Sequence, residues 1–193
     1  LNPKFKLEDC RRIYGANKPE GRGPGTASGR GYNTEWLVNA VLGNDVICST
    51  WSSGSHYDTY VTRDEQSYRV EAKCCVDQYP SGGAGRFRIW GDNYTALLSE
   101  SRDWILETGS FLYFFVVYTI ANGQEKEVGK LITTVTQIDE VVDQETWSER
   151  DHETMGTQPV KDLSWTNLLN RLNVSEDRFR NADIVDLTTR ESG

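Results

Sequence analysis

Residues 111–120 form a run that is apolar on both faces, and this run constrains the fold more than any other feature of the sequence. The run is too short to cross a bilayer, which takes roughly 18 apolar residues, but its length suits a strand that is covered on both sides. Residues 128–136 continue the pattern after Asn122-Gly123, a pair that is typical of a tight hairpin turn. The sequence therefore predicts that residues 111–120 lie in the centre of a sheet.

Helices and extended segments are predicted to alternate around this central strand. Residues 32–43 place their apolar side chains on one stripe, as an amphipathic helix does, and residues 92–106 repeat that spacing with Asp92 as the cap. Four further extended segments are predicted, at residues 45–51, 56–63, 67–76 and 86–90. Residues 143–162 are polar and predict a long surface excursion before a short helix at residues 163–172.

The whole chain, residues 1–193, is predicted to form a single domain of the α/β class. Residues 15–31 hold six glycines and two prolines, so residues 1–31 are expected to be a flexible segment or a binding loop. Residues 137–193 form a C-terminal extension whose role stays open. No membrane span or export signal is visible, and the four cysteines fit reduced thiols, which together lead us to expect a cytoplasmic protein.

The net charge of −8 argues at first against a nucleic-acid partner, because phosphate binding normally uses a surplus of Lys and Arg. Residues 1–100, however, carry 12 basic and 12 acidic side chains, so the whole excess of acid lies in the second half. Residues 1–34 carry 7 basic side chains against 3 acidic ones. A local surface that faces phosphate therefore remains compatible with the composition.

Two carboxylates and a lysine form the pattern that carries chemistry. Asp58 begins one extended segment and Glu71 lies on the next, so antiparallel pairing would bring the two carboxylates together, and close carboxylates repel unless a cation joins them. Mg²⁺ prefers oxygen ligands and needs only one or two carboxylates, which predicts a metal site made of Asp58, Glu71 and the carbonyl of Ala72. Lys73 falls on the same strand face as Glu71 and is placed to act on the same phosphodiester.

Ordinary structural roles can also explain these residues. Glu71 and Lys73 would equally suit an exposed ion pair of small energetic value, and Asp58 would suit a turn that precedes a strand. A glutamate at position 35, in the first turn of the predicted helix, is favoured by the helix dipole without any function.

Asp58 followed by Glu71-Ala72-Lys73 at a strand end resembles the PD-(D/E)XK nuclease signature, although Tyr57 stands where that signature has its proline. The resemblance implies a restriction-endonuclease-like core, with a mixed sheet of about five strands flanked by helices. It also implies metal-dependent hydrolysis, with Mg²⁺ or Mn²⁺ held at Asp58 and Glu71 and with Glu35 assisting from the preceding helix. Over residues 28–75 the order of motifs is similar to archaeal Holliday-junction resolvases, which implies a homodimer acting on DNA.

Several further side chains are candidates for binding nucleic acid. Guanidinium groups near glycine-rich loops could hold phosphates in bidentate fashion, and a histidine near Asp58 could contact a phosphate or carry a proton, although a solvated surface role suits each of them too. These candidates are Arg30, Arg86, Arg88 and His56. Trp90 and Tyr94 are interpreted as core residues rather than base-stacking platforms, and His152 with its acidic neighbours as part of a solvated loop.

The leading hypothesis is therefore a metal-dependent DNA endonuclease. Such an enzyme could be a Holliday-junction resolvase, or a restriction or repair endonuclease. Two other classes stay open. One is a non-catalytic module that keeps the nuclease fold and binds nucleic acid through residues 15–31. The other is an acidic interaction protein whose second half contacts a basic partner, which would explain the charge but not the first hundred residues.

Overall fold

The computed structural model describes residues 27–42, 57–63, 66–103, 109–122, 124–143, 146–152 and 156–188. The helices in these ranges are α1 (Ala27–Leu42), α2 (Gly91–Asp103), α3 (Val135–Val142), α4 (Trp165–Arg171) and α5 (Glu176–Asn181). The strands are β1 (Thr59–Arg63), β2 (Gln66–Val76), β3 (Arg86–Trp90), β4 (Gly109–Ala121), β5 (Gln124–Thr134), β6 (Ser148–His152), β7 (Gly156–Ser164) and β8 (Val185–Asp186). None of these helices is long and apolar enough to span a membrane.

The main sheet has five strands in the order β1-β2-β4-β5-β8. The β1–β2 and β4–β5 pairs are antiparallel, whereas the β2–β4 and β5–β8 pairs are parallel. This mixed sheet, flanked by helices, confirms the predicted α/β class and the restriction-endonuclease-like architecture. The parallel β2–β4 pair requires a crossover, and the chain between these two strands supplies β3 and α2.

Strand β4 is central, as its apolar sequence predicts, and it separates two layers of core. Alternate side chains such as Phe114 and Phe115 are fully buried on opposite faces. One face packs against α1 through Leu37, Val38 and Val41. The other face packs against the remaining helices, with Leu97 and Ile138 among the contacts. The two cysteines of β2 follow the same alternation, since Cys74 packs on the α1 side and Cys75 on the other side.

A second sheet corrects the prediction for residues 143–162. In place of a surface excursion, β6 and β7 pair as antiparallel strands, and β3 joins β7 to give the order β3-β7-β6. Sequence reasoning missed this sheet because β6 is an exposed edge strand with the sequence SERDH, which carries no apolar face. His152 and its neighbours therefore belong to a strand and not to the predicted loop.

Helix α1 begins earlier than its sequence predicts. Residues 27–31, which were expected to belong to the flexible glycine-rich segment, form its first turns, while residues 1–26 lie outside the described part of the chain. Glycine costs about 1 kcal/mol in a helix relative to alanine, so contacts elsewhere must favour this start. The hydroxyl of Thr34 donates to the carbonyl of Arg30 at 2.8 Å, and the guanidinium of Arg30 lies 3.7 Å from the buried carboxylate of Glu125.

Other boundaries differ from the prediction by a few residues. Strand β1 starts at Thr59, so Asp58 lies in the bend before it, and the predicted strand at residues 45–51 is outside the described chain. Asp92 falls in the first turn of α2 instead of preceding it. Residues 135 and 136, expected to end a strand, begin α3 because Thr134 and Gln137 form a reciprocal capping box there.

Candidate active site

Asp58 is anchored to β2 by both its backbone and its side chain. Its N–H donates to the carbonyl of Val70 at 3.1 Å, and its carboxylate Oδ2 accepts the N–H of Ala72 at 2.8 Å. In an extended strand the N–H and C=O of one residue point toward the same neighbour. The carbonyl of Ala72 therefore faces the same edge as its N–H, which is the edge where Asp58 lies.

Glu71 and Lys73 form an ion pair inside the protein, contrary to the exposed pair that the sequence also allowed. Glu71 is only 2% exposed, and the ammonium of Lys73 donates to its Oε1. The second oxygen, Oε2, is buried and has no hydrogen-bond partner. Buried carboxylate oxygens normally accept hydrogen bonds because an unmet one costs roughly 1–3 kcal/mol or more, so this oxygen indicates a site prepared for a ligand.

The electrostatics of this pair agree with its geometry. Burial and the charge of Asp58 together raise the pKa of Glu71 to about 8, although Lys73 acts in the opposite direction. Burial alone would lower the pKa of Lys73, but the charges of Glu71 and Asp58 outweigh burial and raise it, so the lysine remains an ammonium ion. Carboxyl groups whose pKa is shifted by burial and by a neighbouring charge are concentrated at functional sites.

A cleft of about 810 Å³ opens where β2 continues beyond Lys73, and Cys74 and Cys75 line it. The structure places Arg30, Arg86 and Arg88 along this one cleft. Sequence reasoning chose these three arginines separately, from their positions beside glycine-rich loops, and the fold gathers them in one cleft, whose lining includes none of Asp58, Glu71 and Lys73. His56, the fourth candidate, lies outside the described residues.

The model of the PD-(D/E)XK nuclease superfamily domain matches residues 27–170, a span that contains α1, the buried Glu71–Lys73 pair and the arginine-lined cleft. The chain belongs to the PD-(D/E)XK nuclease superfamily. A comparison with curated proteins finds no match.

Nucleases of the PD-(D/E)XK superfamily typically use divalent metals, and the oxygen donors of this chain fit such an ion. The unbonded Oε2 of Glu71, the carboxylate of Asp58 and the carbonyl of Ala72 are all hard ligands of the kind that Mg²⁺ prefers. Across the described ranges, no three His, Cys, Asp or Glu side chains gather as a metal cluster. The donors are thus two carboxylates and one backbone oxygen, and water would complete the shell.

Glu35 is the residue that the sequence resemblance predicts as the assisting helix glutamate, and the structure gives its position. It is the ninth residue of α1, in the middle of the helix, so the first-turn dipole argument does not apply to it. The apolar stripe of α1 packs on the sheet face that carries Ala72 and Cys74, whereas Glu71 and Lys73 point to the opposite face. The side chain of Glu35 is partly buried and has interactions of its own, and its assisting role remains a prediction.

A cluster around Arg69 supports Asp58 where the superfamily signature has proline. The guanidinium of Arg69 lies 5.5 Å from the ring centre of Tyr57 and 5.2 Å from that of Phe111, and it is paired with Glu100 at 2.7 Å. Since Tyr57 directly precedes Asp58, this stack holds the residue next to the candidate carboxylate. Sequence reasoning missed it because the four side chains come from β2, β4, α2 and the bend before β1.

The two aromatic residues that the sequence assigns to the core differ in burial. Tyr94 is buried and donates to Asp139, which agrees with a core role. Trp90 is partly buried and makes an edge contact with His152, with ring centres 4.7 Å apart. Successive side chains of β6 alternate between its two faces, so Glu149 and Asp151 point to one face and His152 points to the other.

Proposed function

We propose that this superfamily nuclease is a metal-dependent endonuclease that hydrolyses phosphodiester bonds in DNA. The observation that carries the proposal is the buried carboxylate of Glu71, which is bonded to Lys73 through one oxygen and leaves the other oxygen without a partner. Burial makes an unmet acceptor costly, and the Glu71 carboxyl lies beside a second one, that of Asp58, whose charge raises the pKa of Glu71. A ligand-binding role accounts for the second oxygen.

Each residue of the site has a distinct part in the proposed reaction. Asp58, Glu71 and the carbonyl of Ala72 would hold Mg²⁺ or Mn²⁺, which would supply an acidic bound water and neutralise charge at the phosphate. Lys73 keeps its proton, and its ammonium orients the attacking water and offsets negative charge as it develops. Arg30, Arg86 and Arg88 bind phosphates of the strand that enters the cleft. The resemblance also assigns an assisting role to Glu35, from a helix that packs on the other face of the sheet.

The substrate that we favour is branched DNA. The order of a glycine-arginine-glycine segment, a Glu-bearing helix and the Glu-Ala-Lys strand is similar to archaeal Holliday-junction resolvases, and symmetric cutting of a junction would use a homodimer because two cuts need two sites. A restriction or repair endonuclease would use the same site on duplex DNA. The choice between these substrates rests on cleavage and not on the site itself.

The test is cleavage of a labelled four-way junction, a plain duplex and a single strand of matched sequence, each with Mg²⁺, Mn²⁺ or chelator. Glu71→Gln and Lys73→Met keep the volume of each side chain nearly constant while removing its charge. Glu176→Gln, on the surface of α5, and Lys126→Met, on an exposed position of β5, are the matched controls. Cleavage that requires metal, disappears in both site variants and persists in both controls supports the proposal.

Two results would contradict it. If the native protein binds DNA but cuts none of the three substrates with either metal, the chain is a binding module that has kept the nuclease fold. If cutting survives Glu71→Gln, the active centre is elsewhere. Preference for the junction over the duplex, measured as a ratio of initial rates, would separate a resolvase from a restriction or repair enzyme.

A further inference from the structure

The three-stranded sheet exposes one face that is rich in arginine. Arg88 of β3 lies directly opposite Asp162 of β7, and Arg150 of β6 reaches the same carboxylate, so the three strands present these side chains on one side. We call this surface the arginine face, and it consists of Arg86, Arg88, Trp90, Arg150, His152 and Asp162. Three guanidinium groups against one carboxylate give it a positive charge in a chain whose net charge is −8.

The alternation of β6 separates its charges. Arg150 and His152 belong to the arginine face, while Glu149 and Asp151 fall on the opposite side of the strand because successive side chains alternate. Asp151 is occupied there by the hydroxyl of Thr157 at 2.8 Å. The side of β6 that carries Arg150 and His152 therefore has no acidic side chain from that strand, which makes it suitable for binding a polyanion.

Asp162 holds two of the arginines in fixed positions. Nε of Arg88 lies 3.0 Å from its Oδ1, and Nη2 of Arg150 lies 3.0 Å from its Oδ2. Each guanidinium has five N–H donors, so one contact to Asp162 leaves others available. Both side chains remain about half exposed, at 45% and 50%, and Arg88 also lies 5.8 Å from the ring centre of Trp90. The donors are thus oriented before any ligand arrives, which lowers the entropic cost of binding.

The arginine face is continuous with the cleft that Arg30 and the end of β2 line. Arg86, Arg88 and Asp162 line that cleft as well as belonging to the face. Arg88 and Arg150 contact the two oxygens of one carboxylate, so their guanidinium groups are close together, and Arg150, on the edge strand β6, is the outermost of them. Arg150 is therefore placed to extend the phosphate contacts of the cleft by one.

We propose that the arginine face binds the sugar-phosphate backbone of duplex DNA beyond the phosphate that is cut, with Arg150 as its outermost contact. This inference rests on the proposed function. It extends the substrate track from the main sheet onto β6 and β7. Because guanidinium groups here meet phosphates and not base edges, the contact positions the duplex without reading its sequence.

The test measures binding of a labelled duplex to the metal-free protein across a series of salt concentrations, followed by steady-state cleavage with metal. Arg150→Gln should weaken binding several-fold at low salt and reduce the slope of log affinity against log salt by about 0.9, the contribution of one phosphate contact. It should raise KM and leave kcat unchanged, because Arg150 is remote from Glu71 and Lys73. Arg150→Lys keeps the charge and should restore most of the slope.

Arg102→Gln is the matched control. Arg102 is an exposed arginine on α2, paired with Asp139 at 3.4 Å, so it repeats an arginine–aspartate pair away from the arginine face. It should leave affinity, salt slope and KM unchanged. Melting temperatures of all variants, measured in parallel, exclude unfolding as the cause of any loss.

Three results would overturn the inference. An unchanged salt slope in Arg150→Gln, with native cleavage intact, removes the arginine face from the substrate track and leaves the nuclease proposal standing. Equal competition by polyglutamate of matched charge would show a general anion surface that suits an acidic protein. Absence of both binding and cleavage in the native protein would overturn this inference together with the proposed function.

Discussion

The two sheets use charged side chains in opposite ways. On β2 of the main sheet, Glu71 and Lys73 are paired inside the protein, whereas on the smaller sheet Arg88, Arg150 and Asp162 are linked at the surface. Taking charges out of water costs several kcal/mol for each ion even when they are paired, while an exposed pair costs little and contributes 0–1 kcal/mol. The cost of the buried pair agrees with the proposed role of Glu71 and Lys73 in catalysis. The exposed network costs little, and its positive charge and N–H donors agree with the proposed contact with phosphates.

Lys73→Met should have the largest effect on activity, because it removes one charge of the buried pair. We expect kcat to fall on the order of 10²–10³-fold, as when one preorganised charge is removed from an active site, with little change in KM. Initial rates at saturating substrate and metal measure this directly. Lys126→Met, at an exposed position of β5, should keep the native rate, and a native-like kcat in Lys73→Met would remove the lysine from the mechanism.

Metal binding and stability should both depend on pH through Glu71. The pKa of this carboxyl rises from an ordinary 4.5 to about 8 in the folded protein, so between these values the folded state holds a proton that the unfolded state has lost. The free energy of unfolding without metal should therefore decrease as pH rises through this window.

Mn²⁺ affinity should change in the opposite sense, increasing toward pH 8, because the ion displaces that proton. Denaturant unfolding and Mn²⁺ titration at several pH values measure the two effects. Glu71→Gln should flatten both dependences. If the native protein shows a stability that rises across the window, Glu71 is already ionised and the raised pKa is wrong.

Arg69→Leu tests the support of Asp58. Cation–π contacts are worth about 0.5–2 kcal/mol, depending on burial, and the pair with Glu100 is partly screened by solvent. We expect the free energy of unfolding to fall by about 1–2 kcal/mol, with Mn²⁺ affinity reduced as well because Asp58 loses its restraint. Arg69→Lys should recover part of the affinity. A loss of stability with unchanged affinity would make the cluster purely structural.

Asp162→Asn, which removes the exposed ion pairs, should have the smallest effect on the stability of the protein. Its ion pairs lie at the surface, and their removal should cost less than about 1 kcal/mol, measured by urea unfolding. Removing the carboxylate also raises the positive charge of the arginine face, so duplex affinity at low salt should be kept or increased. A fall in affinity would mean that orientation of Arg88 and Arg150 by Asp162 outweighs the gain in charge.

Local patterns predicted the parts of this molecule in which one residue period dominates. The run at residues 111–120 gave the central strand, and the alternation of β2 put Glu71 and Lys73 on one face. The sequence could not show that this face is buried, because burial depends on helices that arrive from later in the chain. It also missed β6, whose side chains are polar on both faces, and the early start of α1, which Arg30 and Glu125 favour from distant positions.

The candidate site divides in the same manner. The proximity of Asp58 to β2 was predictable, since a hairpin joins neighbouring segments and its pairing follows from a short turn. The gathering of Arg30, Arg86 and Arg88 in one cleft was foreseen only as three separate possibilities, because the sequence gives no distance between α1 and β3. The Arg69 cluster gave no local signal at all.

The parallel pairing of β2 with β4 also sets a time order for the appearance of the site. The β1–β2 hairpin is local and can form within microseconds, but the register joins Glu71 to Tyr113 only after β3 and α2 have been wrapped between them. Such non-local closures are slow steps in folding. During synthesis, the hairpin with Asp58 and Glu71 would thus remain exposed to water and inactive until β3 and α2 have packed against the sheet.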